Sequence, residues 1–178
     1  MNRIETEIAL GRDRAWLLET FSAVDPDLLA APCTQSGADP DFWWSAKDHF
    51  SHLVSVERNF TRMVAAFVDG SADAVGSVVP DMPRERVDVS LYVDTGNDRW
   101  VKKYHDASFD QLVVLGERAR ATTLELMGRL DDTDFERQIP NAAWDGGTVG
   151  AMLAVPLGSH GRQHWAWVNE GWKERQLI

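Results

Sequence analysis

His160 and His164 stand four residues apart in the stretch Thr148 to Trp172, TVGAMLAVPLGSHGRQHWAWVNEGW, whose apolar content reads as one long helix. Four residues is about one helical turn, so both imidazoles leave the same face and can reach a single metal ion. A helix built for stability alone would be written differently. Pro156 removes a backbone hydrogen bond, and Gly158 and Gly161 each cost roughly 1 kcal/mol relative to Ala. Local stability is given up beside the histidine pair, which points to function, although a kinked core helix with buried histidines explains the same letters.

A third histidine lies in an earlier helix. Ser45 is placed as its N-cap, with Asp48 three residues on as the acidic first-turn partner, and the helix runs to about Asp69. Its inner face reads His52, Val56, Asn59, Met63 and Ala66 or Phe67. If the two helices are neighbours, His52, His160 and His164 form a three-nitrogen set. Three neutral imidazoles hold a divalent ion and leave positions open for water or substrate, the catalytic arrangement and not the closed structural one. His49 leaves the helix about 60° away from His52, so its expected role is a hydrogen bond at the rim and not ligation.

The rest of the chain must position these groups. From Asn2 to about Val24, Ile4, Ile8, Ala15, Leu18 and Phe21 recur at helical spacing as the apolar face of a first helix. Asp25-Pro26-Asp27 breaks it, and the following LLAAPCTQSGADPDFWW reads as loop, with Trp43 and Trp44 closing one end of the core. Gly70 to Val93 is a long connection with one short helical turn, of the length that often serves as a lid or rim. Asn97 to Asp106 reads as a short helix whose His105 is a solvated polar residue. Ser108 and Gln111 form a capping box for a helix from Phe109 to Leu130. Asp131 to Asp134 is a turn without the ligand spacing of a calcium loop. Arg137 to Gly147 contains a short extended excursion, and Thr148 caps the last helix. Four main helices with long connections are the pattern of a helical bundle.

Composition narrows the functions. The 178 residues suit one domain, 1–178, with a core that needs no disulfides, and the lone Cys33 reads as an ordinary loop or core thiol. The N-terminus is charged from its third residue and no run of about 18 apolar residues occurs, so the expectation is a cytoplasmic protein with no membrane partner. A formal charge of −10 repels phosphate backbones, and on that ground nucleic acid is excluded as a partner. No GxGxxG, P-loop, HExxH or GxSxG element occurs, nor the paired Glu-x-x-His of di-iron bundles, which leaves histidine-based chemistry.

WWSAKDHFSHLVSVERNF, a Trp-Ser start leading to His-Leu, resembles the second helix of the DinB/YfiT-like superfamily. GSHGRQHWAWV resembles its last helix with the His-x-x-x-His pair, and NDRWVKKYHDASFDQLVVLGERAR is similar in style to the same group. The likeness spans most of the chain, but only the histidine motifs are specific. It implies an all-α four-helix bundle with a divalent ion, nickel or zinc foremost, on His52, His160 and His164. The superfamily includes bacillithiol- and mycothiol-dependent S-transferases and the mycothiol-dependent maleylpyruvate isomerase. The implied activity is therefore transfer of a low-molecular-weight thiol to an electrophile, with both small molecules as partners and a homodimer left open. The alternatives are a hydrolase of a reactive small molecule, with or without metal-bound water, and a binding protein without chemistry.

Overall fold

A computed structural model of the chain describes residues 2–78, 89–142, 147–155 and 159–178. Helix accounts for 70% of it and the sheet is one small hairpin, in keeping with the expected all-α class. The elements in order are α1 (Arg3–Ser22), α2 (Pro26–Ala30), β1 (Pro32–Gln35), β2 (Trp43–Ser45), α3 (Ala46–Val68), α4 (Val89–Tyr104), α5 (Phe109–Gly128), α6 (Asp132–Phe135), α7 (Val149–Ala154) and α8 (Ser159–Glu174). Among the described residues no helix is long and apolar enough to cross a membrane.

The organising element is α3. Ser45 and Asp48 close the expected capping box, and Asp69 with Gly70 ends the helix, Gly70 at φ 91° where a side chain would be strained. Its first three turns are buried on nearly every side, from Ala46 through Glu57, because it packs against α1, α2, α4, α5, α7 and α8. That encirclement explains how His49 and His52, on adjoining faces, are both removed from water at 3% and 4% exposure. Around α3 lie two apolar clusters. One gathers Phe21, Phe50, Leu53, Leu112, Val168 and Trp172, the other Leu10, Met63, Val64, Met127, Met152 and Leu153.

Several sequence expectations change. The first helix buries Thr6, Leu10, Asp13, Leu17 and Phe21, whereas Ile4 and Ile8 are 59% and 66% exposed. Both stripes have helical spacing, and only packing against α3 and α7 chooses between them. The stretch read as loop after residue 30 forms the antiparallel β1–β2 hairpin, pairing Thr34 with Trp44 and Gln35 with Trp43. Two strands of three and four residues carry too little alternation to stand out from their Pro, Gly and Asp neighbours. The single helix expected from Thr148 to Trp172 is two helices, α7 and α8; Pro156 and Gly158, expected to strain it, lie outside the described residues.

The remaining elements keep their expected caps but not all of their expected bounds. Ser108 and Gln111 cap α5, Thr148 accepts from the Ala151 N–H to cap α7, and Asp131 caps the one-turn α6 where a turn was expected. The extended excursion is a bridge between Gln138 and Thr148. The connection after α3 holds one 3-10 turn, Val75–Ser77, and the next helix starts earlier than expected, at Val89; residues 79–88 of that connection lie outside the described ones.

Candidate metal centre

His52 comes from the second turn of α3, His160 and His164 from the first two turns of α8. One ring nitrogen from each lies within 4.8 Å of the others. For comparison, three nitrogens around a tetrahedral ion with bonds of about 2.1 Å lie about 3.4 Å apart. Ring centroids are 4.6 Å apart for His52 and His164, 4.7 Å for His160 and His164, and 5.6 Å for His52 and His160. The three sequence-predicted residues are thus brought together by tertiary packing.

The chemistry of the cluster suits a cation. Desolvation holds His52 down at about 3, with His160 and His49 adding a smaller repulsion against any positive charge. His164 is lowered still further, again first by burial and then by the neighbouring imidazoles. Both rings are therefore neutral at physiological pH, the form that donates a lone pair to a metal. His52 Nδ1 is buried without a hydrogen-bond partner among the described residues. Such an atom costs about 1–3 kcal/mol in an apolar interior unless something takes it.

The neighbours were less legible. His49, expected at the rim, is buried between Thr34 Oγ1 at 2.6 Å from its Nε2 and His164 Nδ1 at 2.8 Å from its own Nδ1. Burial lowers its pKa to about 3. Thr34 is fifteen residues away on β1, and no local pattern joins the two. His105, expected to be solvated, is half-exposed with Nδ1 3.2 Å from both carboxylate oxygens of Asp48. Trp44 donates from Nε1 to Asp98 at 3.0 Å and lays its ring against His49 and His52, while Trp43 stays 37% exposed under Arg175.

Two glycines let α8 come close enough. A Cβ at Gly171 would lie 2.1 Å from the Cys33 carbonyl oxygen, so α8 rests directly on the backbone of β1. A Cβ at Gly161 would lie 3.1 Å from Leu17 of α1. The helical stability that Gly161 gives up is exchanged for this close approach.

The cluster opens into a cavity of about 1560 Å³ between α3, α4, α8 and the hairpin. Trp167, 43% exposed with its ring 4.8 Å from that of His164, lines it together with Asn59, Arg62, Arg99 and Lys103. Cys33 borders the cavity but is 2% exposed, donates Sγ–H to the Trp44 carbonyl at 3.3 Å, and is pushed by burial up to about 12. It is a protonated core thiol, without nucleophilic character at neutral pH.

No family model and no curated protein matches the sequence. Solved structures do share the fold. An uncharacterised protein from Escherichia coli UTI89 is similar over 98% of this chain and 95% of its own, with a TM-score of 0.68 and 14% identity. The colibactin self-resistance protein ClbS, solved in complex with a dsDNA, is similar over 97% of this chain and 96% of its own, with a TM-score of 0.63 and 14% identity. These likenesses establish the helical fold over nearly all of the chain. They also correct the exclusion of nucleic acid as a partner, since a protein of this fold has been solved on duplex DNA. The exclusion rested on a formal charge of −10, and net charge is a sum over the whole surface that describes no single face of it.

Proposed function

We propose that the chain is a DinB/YfiT-like four-helix bundle and a metal-dependent enzyme that joins a low-molecular-weight thiol to an electrophilic small molecule. The observation that carries this reading is the cluster of His52, His160 and His164 on the wall of a large cavity that holds no reactive thiol of its own. With Cys33 protonated and sealed, the nucleophile must enter from outside. A divalent ion, nickel or zinc foremost, lowers the pKa of a coordinated thiol or water.

The chain's own groups divide the remaining work. His52, His160 and His164 would hold the ion, and burial keeps the His52 and His164 rings neutral, in the form that has a lone pair to give. Trp167 offers a flat apolar face beside His164 for the acceptor. Arg62, Arg99 and Lys103 on the α3 and α4 walls suit the carboxylates that small biological thiols carry. The low dielectric around the buried His52 and His164 would strengthen their hold on a cation, whereas the exposed Arg62, Arg99 and Lys103 act at the cavity rim.

A second reading takes its lead from one neighbour: ClbS is named a colibactin self-resistance protein, and the cavity of this chain would serve hydrolysis of a small molecule with water as nucleophile. Elemental analysis of protein purified without chelator, followed by assay of a thiol panel against a panel of electrophiles, tests both. The thiol reading expects one ion per chain and a product containing the thiol sulfur. A thiol-independent product carrying oxygen from labelled water would replace it with the hydrolase, and absence of any ion would remove the metal from either.

A further inference from the structure

Two short contacts at the histidine cluster involve a residue that is not among the three candidate ligands. His49 Nδ1 faces His164 Nδ1 at 2.8 Å, and His49 Nε2 faces Thr34 Oγ1 at 2.6 Å. Each contact requires one proton between its two atoms, because two lone pairs at that separation repel. A neutral imidazole carries a single N–H, so the two contacts have only two joint solutions. In the first, His164 donates from Nδ1 to His49, and His49 donates from Nε2 to the Thr34 hydroxyl. In the second, Thr34 donates to His49 Nε2, His49 donates from Nδ1 to His164, and His164 keeps its own proton on Nε2.

The two solutions differ in what His164 can offer a cation. In the first, Nε2 has a free lone pair; in the second, Nδ1 is spent on His49 and Nε2 is protonated. We infer that Thr34 and His49 form a positioning chain that holds the His164 ring and selects its tautomer, so that loading the three-histidine site with a divalent cation fixes the direction of every proton from His164 out to Thr34. The inference rests on the metal reading above. It extends that reading to two residues that are not ligands, one of them on the hairpin.

The surrounding structure is built for this chain. His164 lies on α8, His49 in the first turn of α3 and Thr34 on β1, three elements with no local connection. They meet because Gly171 lets α8 lie on the β1 backbone at Cys33, the residue next to Thr34. The Trp44 ring packs edge-on to His49 with centroids 5.3 Å apart and shields it from competing water. His49 and His164 are only 3% and 5% exposed, so each ring has little access to solvent as an alternative partner.

Zinc titration against a chromophoric chelator, combined with nitrogen-15 spectra of the histidine rings, tests the inference. His49→Phe should weaken zinc binding about 10- to 100-fold, the usual effect of losing an outer-shell partner. Thr34→Val should weaken it less, and Thr34→Ser should restore it. In the zinc-loaded wild type, His164 should carry its proton on Nδ1 and His49 on Nε2. An unchanged Kd in both His49→Phe and Thr34→Val, while His52→Ala abolishes binding, overturns the chain and leaves the metal site standing. A His49 proton on Nδ1 in the loaded protein also overturns it. Failure of the wild type to bind zinc at all overturns the metal reading together with the coupling. If His49→Phe does not fold, the Thr34 pair and the spectra decide.

Discussion

Two of the buried polar clusters among the described residues, centred on His52 and on Glu57, lie less than two helical turns apart on α3 and are finished differently. Glu57 is 5% exposed and fully partnered: Arg120 donates to both of its oxygens, at 2.5 Å and 3.2 Å, and Thr123 donates at 3.1 Å. Arg120 also reaches the Leu10 carbonyl at 2.5 Å, and Thr123 pairs with Thr61 at 2.7 Å. The network ties α1, α3 and α5 together. The histidine cluster on the same helix leaves His52 Nδ1 without a partner among the described residues and faces a cavity. A closed network spends its polar groups on the fold, whereas an open one keeps lone pairs for something that arrives later.

The largest stability effect should come from the closed network. Arg120→Met removes the ion-pair partner of buried Glu57, leaving Arg14 as a nearby cation, and should cost about 3–5 kcal/mol in denaturant unfolding while leaving metal stoichiometry unchanged. Loss of the ion in that variant would show that the two clusters are not independent.

Next in size is Gly171→Ala. Its Cβ meets a carbonyl oxygen that cannot rotate away, so α8 must shift, at a cost of about 1–3 kcal/mol. Because α8 carries two of the three histidines, metal affinity should fall with stability, which chelator competition measures. An unaltered affinity would mean that α8 does not depend on β1 for its register.

His52→Ala and His164→Ala should abolish metal binding and yet change unfolding free energy by less than either variant above. The same holds for chelation of the native protein: helical circular dichroism should persist, because the two apolar clusters account for folding. Unfolding on chelation would turn the open cluster into a structural one.

The smallest effect at neutral pH concerns Cys33. Its thiol is raised from about 9 to about 12 in the fold, so the unfolded chain releases that proton first. Stability from this group is complete below pH 9 and falls as pH rises from there toward 12, by up to about 1.4 kcal/mol per pH unit. At pH 7 the folded protein should resist a thiol reagent that labels it quickly in denaturant. Rapid labelling of the native state would reopen Cys33 as a nucleophile.

Much of the local architecture is legible in single stretches of the chain. Ser45 with Asp48, Ser108 with Gln111 and Thr148 with Ala151 are capping signals complete within four residues, and the helices begin where they say. The spacing of His160 and His164 likewise determines that their rings share a face. What the chain order cannot state is which of several competent surfaces meets another. Ile4 and Ile8 have the same helical spacing as Leu10, Leu17 and Phe21, and only the packing of α1 on α3 and α7 leaves the first pair in water.

The same holds for the site. That His52 joins the later pair depends on α3 and α8 being neighbours, and the partners of His49 come from residues 15 and 115 positions away. Hydrogen-bond partners at that separation leave no periodicity in the sequence. Their meeting is decided by the close approach that Gly171 permits and by the burial that leaves each ring little access to water instead.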